Sequence, residues 1–228
     1  MKFADATELV GKISNNDDAL YHKLTENFVN WCDKNYLYMN VFKTKEMCTD
    51  FRKNQRCPKS DHIKGEAVER VETYKYLGVV FDSKLNWKEN INSVLKKVNT
   101  RMYGLRKLRS FGVNAGMLVT FYNAVICSII VYGFVCWGGN IEKFDRGRLE
   151  KIVKKTGHVV GMSLDSFNTL NEKRLFKKLL QILNDPTHPM RHYFDSRRSN
   201  RSGRSLLPKT NTSRYKTSFL PSPLSVFN

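Results

Sequence analysis

The sequence predicts an α+β fold: small β-hairpins with one helix over 1–85, a helical region over 86–185, and a disordered basic tail over 186–228. Three observations predict it. Short apolar runs punctuated by turn residues are confined to the first 85 residues, whereas later apolar positions recur every three to four residues. A hydrophobic content of 41% with 26% charged residues describes a chain that folds. The last 43 residues hold five of the six prolines and a Ser/Arg tract at 196–205, too little apolar surface to offset chain entropy. Collagen-like, coiled-coil and disulfide-scaffold classes are excluded by composition.

The elements follow in order. Phe3, Leu9, Val10 and Ile13 around Ala4-Asp5-Ala6-Thr7 predict a strand pair broken at a turn. Asn15, Asn16, Asp17 and Asp18 offer N-caps for a helix whose apolar positions are Leu20, Leu24, Phe28 and Trp31. Alternation over Leu37–Phe42 predicts a strand, and a second short one follows around Met47–Phe51. Residues 52–61 read as a polar loop, and 62–68 as a hairpin turning at Lys64-Gly65. The β-rich run 74–81 closes this part.

Asn86 and Glu89 have capping-box spacing before an apolar stripe of Ile91, Val94, Leu95, Val98, Met102, Leu105 and Leu108, closed by Gly112. No charge occurs from Val113 to Ile141, which predicts a buried central helix; a membrane span is the alternative, opposed by Asn114, Asn123, Gly116 and Gly133. Helices then follow over about 143–160 and 170–183, the last ended by Asn184-Asp185-Pro186.

Charge separates the regions. The formal net charge of +18 divides into +1 for 1–85, +10 for 86–185 and +7 for 186–228. A neutral start and a strongly basic remainder point to a polyanion, nucleic acid first and an anionic membrane surface second. The helix from Asn86 carries Lys88, Lys96, Lys97, Arg101, Arg106, Lys107 and Arg109 against the single acid Glu89, a pattern suited to phosphate. Five cysteines, none in a CxxC, predict free thiols in a reducing, intracellular setting, and no signal peptide is visible at Met1. Scattered histidines, and the absence of GxSxG, HExxH, Walker and GxGxxG patterns, leave hydrolase, zinc and nucleotide-loop chemistry without support.

Phe3-Ala4-Asp5-Ala6-Thr7 resembles the aromatic-Ala-Asp-Asp hairpin of reverse transcriptases. A series beyond it, including Trp31-Cys32, Lys43-Thr44-Lys45-Glu46, Tyr76-Leu77-Gly78-Val79, Leu105-Arg106, Phe111-Gly112, Trp137-Gly138, His158-Val159-Val160-Gly161 and His188-Pro189, is similar in order to non-LTR (LINE-type) retrotransposon reverse transcriptases. The resemblance covers essentially the whole chain. It implies a palm remnant over 1–85, a thumb-like region over 86–185, and RNA or DNA template-primer as partner, with no small-molecule substrate. It casts Asp5 as a metal ligand, Lys43 as a general acid toward pyrophosphate, and Tyr76, Leu77 and Gly78 as a primer-grip hairpin. Lys96, Lys97, Arg101, Arg106, Lys107 and Arg109 would track the duplex.

Two departures limit what carries over. The hairpin's second carboxylate is Ala6, and the chain opens immediately before the hairpin, with no earlier palm strand. A lone Asp5 supplies too few oxygens for the family's paired Mg²⁺ ions, so the expectation is a decayed C-terminal fragment that binds no Mg²⁺ and does not polymerise by itself. The segment 118–137 also resembles the short N-terminal module named after the eighth AlkB homologue, a tRNA-modifying alkylation-repair protein. No His-x-Asp with a distant His is present to complete an iron triad.

Overall fold

A computed structural model describes residues 2–3, 6–52, 58–197, 199 and 205–227. The chain is mixed α and β and divides into two units, one of Met1–Tyr76 with Phe81–Leu85, the other of Leu77–Val80 with Asn86–Asn228.

In the first unit, β1 (Lys2–Phe3) pairs antiparallel with β2 (Ala6–Thr7), as the sequence predicts; Ala4 and Asp5 lie outside the described residues. Helix α1 (Ala19–Lys34) also forms where expected. Its predicted apolar face is not covered, however: Leu20 is 75% exposed and Trp31 45%, and the helix buries only Thr25 and Cys32. The strand expected over Leu37–Phe42 is absent. Asn40 instead accepts a hydrogen bond from Lys43 N (3.0 Å) and caps a 3₁₀ turn, Val41–Lys43. A short side-chain acceptor here outbids the alternating pattern. The strand expected near Met47 is β3 (Lys45–Glu46), earlier and shorter than predicted.

Next, β4 (His62–Ile63) pairs antiparallel with β5 (Glu66–Ala67) across Lys64-Gly65, whose φ values of 54° and 85° make the two-residue turn that strand twist favours. Strand β6 (Glu69–Arg70) pairs parallel with β3, and a Lys45–Glu69 ion pair crosses that ladder. Beneath lies a polar cluster. Arg70 Nη2 is 3.1 Å from buried Glu46, and Glu46 Oε2 accepts weakly from Asp61 N at 3.4 Å. Strand β7 (Thr73–Tyr76) leads to Leu77-Gly78, both at positive φ (46° and 87°), and then to β8 (Val79–Asp82), so the run 74–81 is broken by a turn.

The second unit is helical. Helix α2 (Lys88–Ser110) buries Ile91, Val94, Leu95, Val98, Met102 and Leu105, most of the predicted stripe, against α6 (Lys143–Val160) and the intervening segment. That segment is not one central helix. It runs as α3 (Ala115–Phe121), a π-helical stretch Tyr122–Cys127 and α4 (Ser128–Ile130), turns at Gly133 (φ 68°), and resumes as α5 (Phe134–Trp137). Among the described residues no helix is long and apolar enough to cross a membrane.

Helix α7 (Phe167–Asn184) starts three residues earlier than expected because Ser166 caps it, its hydroxyl accepting from Thr169 N. Phe134, Trp137 and Phe167 form an aromatic cluster with centroids 4.7 to 6.3 Å apart. The tail departs from the disordered arm predicted over 186–228. Helices α8 (Arg191–Asp195), α9 (Ser213–Lys216) and α10 (Ser222–Phe227) return to the unit, and Phe194 and Leu224 bury with Leu179 and Ile182 of α7. A few well-spaced rings and leucines suffice to dock a segment whose average composition is polar. Most of the Ser/Arg tract lies outside the described residues.

Candidate nucleic-acid interface

The start of α2 is fixed by hydrogen bonds from its own unit. Trp87 precedes the helix in a left-handed conformation (φ 68°), and Asn86 Oδ1 accepts from Lys88 N at 3.1 Å, so the cap falls one residue later than the capping box predicts. Glu89 sits in the first turn, where the helix dipole favours an acid. Asn90, buried within the same unit, accepts from Val80 N at 3.1 Å and ties Leu77–Val80 to the helix. The 23 residues of α2 span about 34 Å, close to one turn of B-form duplex.

All seven bases of α2 are exposed, and among the described residues none of them forms an ion pair. Other cations of this unit are engaged: Arg148 bonds Asp145 and Asn92, and Lys173 bonds Asp165. Lys96, Thr100, Tyr103 and Lys107 follow one another at i, i+4, i+7 and i+11, a line opposite the buried stripe, with Lys97 and Arg106 beside it. Arg109 Nη2 lies 3.9 Å from where a Cβ of Gly161 would stand, at the C-terminus of α6. A groove of 470 Å³ there is lined by Lys154, His158 and Ser163 among others. Sequence reading missed this continuation, although Lys151, Lys154 and His158 repeat the i, i+3, i+7 spacing.

The remaining candidates belong to other elements. Asp5 lies outside the described residues. Lys43 is exposed on its 3₁₀ turn. Tyr76 belongs to the first unit and its buried hydroxyl has no hydrogen-bond partner among the described residues, while Leu77 and Gly78 belong to the second. Leu77 O accepts from Tyr132 Oη at 2.7 Å, and Gly78 faces the Tyr132 ring, where a Cβ would stand 3.4 Å from Cε1. These two residues thus dock a turn onto the helical unit. Among the described residues no three His, Cys, Asp or Glu side chains cluster as metal ligands.

Elsewhere, His22 bridges two carboxylates. Its Nδ1 is 3.1 Å from Asp61 and its Nε2 is 3.3 Å from Asp18. Partial desolvation disfavours the imidazolium, but hydrogen bonding and charge from Asp61, then Asp18, outweigh it and raise the pKa above the ordinary histidine value. Burial, with Glu46 and Asp61 nearby, pushes neighbouring Tyr21 up to about 12. In the helical unit burial raises both Tyr122 and Cys127, so that thiol is not an activated nucleophile.

A family model described as "Alkylated DNA repair protein alkB homolog 8, N-terminal" matches residues 87–128, under a fifth of the chain. It covers α2, α3 and the π-helical stretch, so the likeness read at 118–137 lies mainly further upstream. Neither the curated proteins nor the solved structures give a match.

Proposed function

We propose that this chain is a nucleic-acid-binding relative of non-LTR retrotransposon reverse transcriptases, holding RNA or DNA template-primer on α2 and not polymerising by itself. The observation that carries the reading is the set of seven exposed α2 bases that have no acidic partner among the described residues. A folded helix that leaves so much like charge uncompensated is stabilised when phosphates replace small counterions. The ordered motif series supplies the family. Ala6, standing where a second carboxylate belongs, supplies the inactivity, since two hard cations need more oxygen ligands than Asp5 offers.

Fluorescence anisotropy with a template-primer duplex between about 50 and 200 mM salt tests the binding. Affinity falls steeply with salt, and the triple variant Lys96→Gln, Lys97→Gln, Arg101→Gln makes the log–log slope shallower by about 2 to 3. Absent or salt-independent duplex binding overturns the reading. Primer extension with Mg²⁺ or Mn²⁺ gives no product; incorporation by the natural chain would disprove the inactivity.

The match at 87–128 favours a second reading, a link to alkylation repair or tRNA modification. Those 42 residues contain one acid, Glu89, and no histidine, so this segment holds no iron triad. Its shared feature with the first reading is the α2 surface, and the two separate on whether alkylated and unmodified oligonucleotides bind alike.

A further inference from the structure

We infer that the α2 face takes unpaired nucleic acid, with Tyr103 and Phe111 as stacking platforms for its bases, an inference that rests on the proposed nucleic-acid reading of that face. Tyr103 is 71% exposed and Phe111 72%, as are Phe144 (74%) and Tyr132 (55%) elsewhere in the unit, whereas Phe134, Trp137 and Phe167 are at most 1% exposed. Tyr103 stands on the same solvent line as Lys96 and Lys107, with Arg106 next to it. Its hydroxyl makes no hydrogen bond among the described residues. Lys107 Nζ lies 5.1 Å from the Phe111 centroid, which couples a cation to the second ring. Phe111, the residue after α2, is eight positions beyond Tyr103, about 12 Å along the helix axis.

Charge alone explains attraction to phosphate; it does not explain the rings. An isolated exposed aromatic is ordinary, but here one lies among the bases of α2 and the other directly follows its last turn. In a duplex each base face is covered by its neighbours, so a protein ring reaches it only by opening the stack. In a single strand every base offers a free face, and stacking on an aromatic beside a cationic track is the sequence-tolerant way such strands are held. The occupant that uses both features is a single strand.

Two probes decide it, a mixed-sequence single strand of about 16 nucleotides and its blunt duplex, titrated against the full chain at matched salt. The single strand binds tighter. Tyr103→Ala weakens it about tenfold and Phe111→Ala about threefold, while duplex affinity changes less than about twofold and both salt slopes persist. Tyr103→Phe, which keeps the ring, retains single-strand binding. Circular dichroism checks the fold of each variant. If both probes bind with steep salt dependence but Tyr103→Ala leaves single-strand affinity unchanged, or lowers both affinities equally, this inference falls and the charge reading stands. If neither probe binds, both fall.

Discussion

The two units of this chain bury very different shares of their apolar residues. Among the described residues of the first, the buried apolar side chains are Cys32, Ile63 and Val68, accompanied by four buried polar ones, Thr25, Glu46, Asp61 and Asp82. In the second, 27 apolar side chains among the described residues are buried against five polar. Among the described residues, ten of the twenty exposed large hydrophobic ones sit on the smaller first unit, including Leu20, Tyr36, Tyr38 and Phe42. Hydrophobic burial is the main term opposing chain entropy, so the helical unit has a source of stability that the first unit lacks. Helical periodicity reports where a helix forms. Whether a partner covers its stripe is a tertiary fact, met for α2 and unmet for α1.

The largest effect that follows is a difference between overlapping fragments. Residues 77–228 contain the whole helical unit and should unfold cooperatively by heat, with helical circular dichroism. Residues 1–85 contain the whole first unit and should show no cooperative transition and bind a hydrophobic dye. A sharp melting transition in the shorter fragment would break the comparison.

What could be read in advance follows the same division. Helices α1, α2, α6 and α7 and the Lys64-Gly65 turn were legible, because periodicity, caps and paired positive-φ positions are local signals. The exposed α2 bases were legible too, since most of them fall off a stripe deep enough to fix the helix orientation. The 3₁₀ turn at Val41–Lys43 was not, because Asn40 capping competes with alternation over only six residues. The docked tail was hidden by its composition: Phe194 and Leu224 are separated by a Ser/Arg tract, and only their shared contact with Leu179 and Ile182 reveals a core. The continuation of the basic face toward Gly161 depends on two helix ends meeting, which no local pattern encodes.

Within the helical unit the next effects scale with what each side chain buries. Trp137 is fully buried and its Nε1 donates to Tyr132 O at 2.8 Å. Replacing it by alanine should cost about 3–5 kcal/mol in denaturant unfolding. Gly139 tests the tail instead. A Cβ there would collide with the Thr217 carbonyl, so Gly139→Ala forces α9 off its seat. About 1–3 kcal/mol should be lost, with faster proteolysis after residue 205. Unchanged proteolysis would mean that the tail is held by Phe194 and Leu224 alone.

The smallest effect belongs to the first unit and is one of pH. His22 is held between Asp61 and Asp18, and its pKa in the folded state lies above the ordinary 6.5. The charged form therefore favours folding. That contribution is complete below about pH 6.5 and is lost as pH rises through the elevated value. The His22 side chain is 38% exposed, so solvent screens both ion pairs and the effect is slight. Its sign is still distinctive, because carboxylates held down by cations lose stability in the opposite direction, as pH falls. Titrating His22 by NMR, and following hydrogen exchange of α1 from pH 5.5 to 8, should show protection decreasing toward high pH in the natural chain but not in His22→Gln. Protection that is flat in both would place the organisation of α1 in Thr25 and Cys32 alone, and the polar cluster would then add nothing to the stability of this unit.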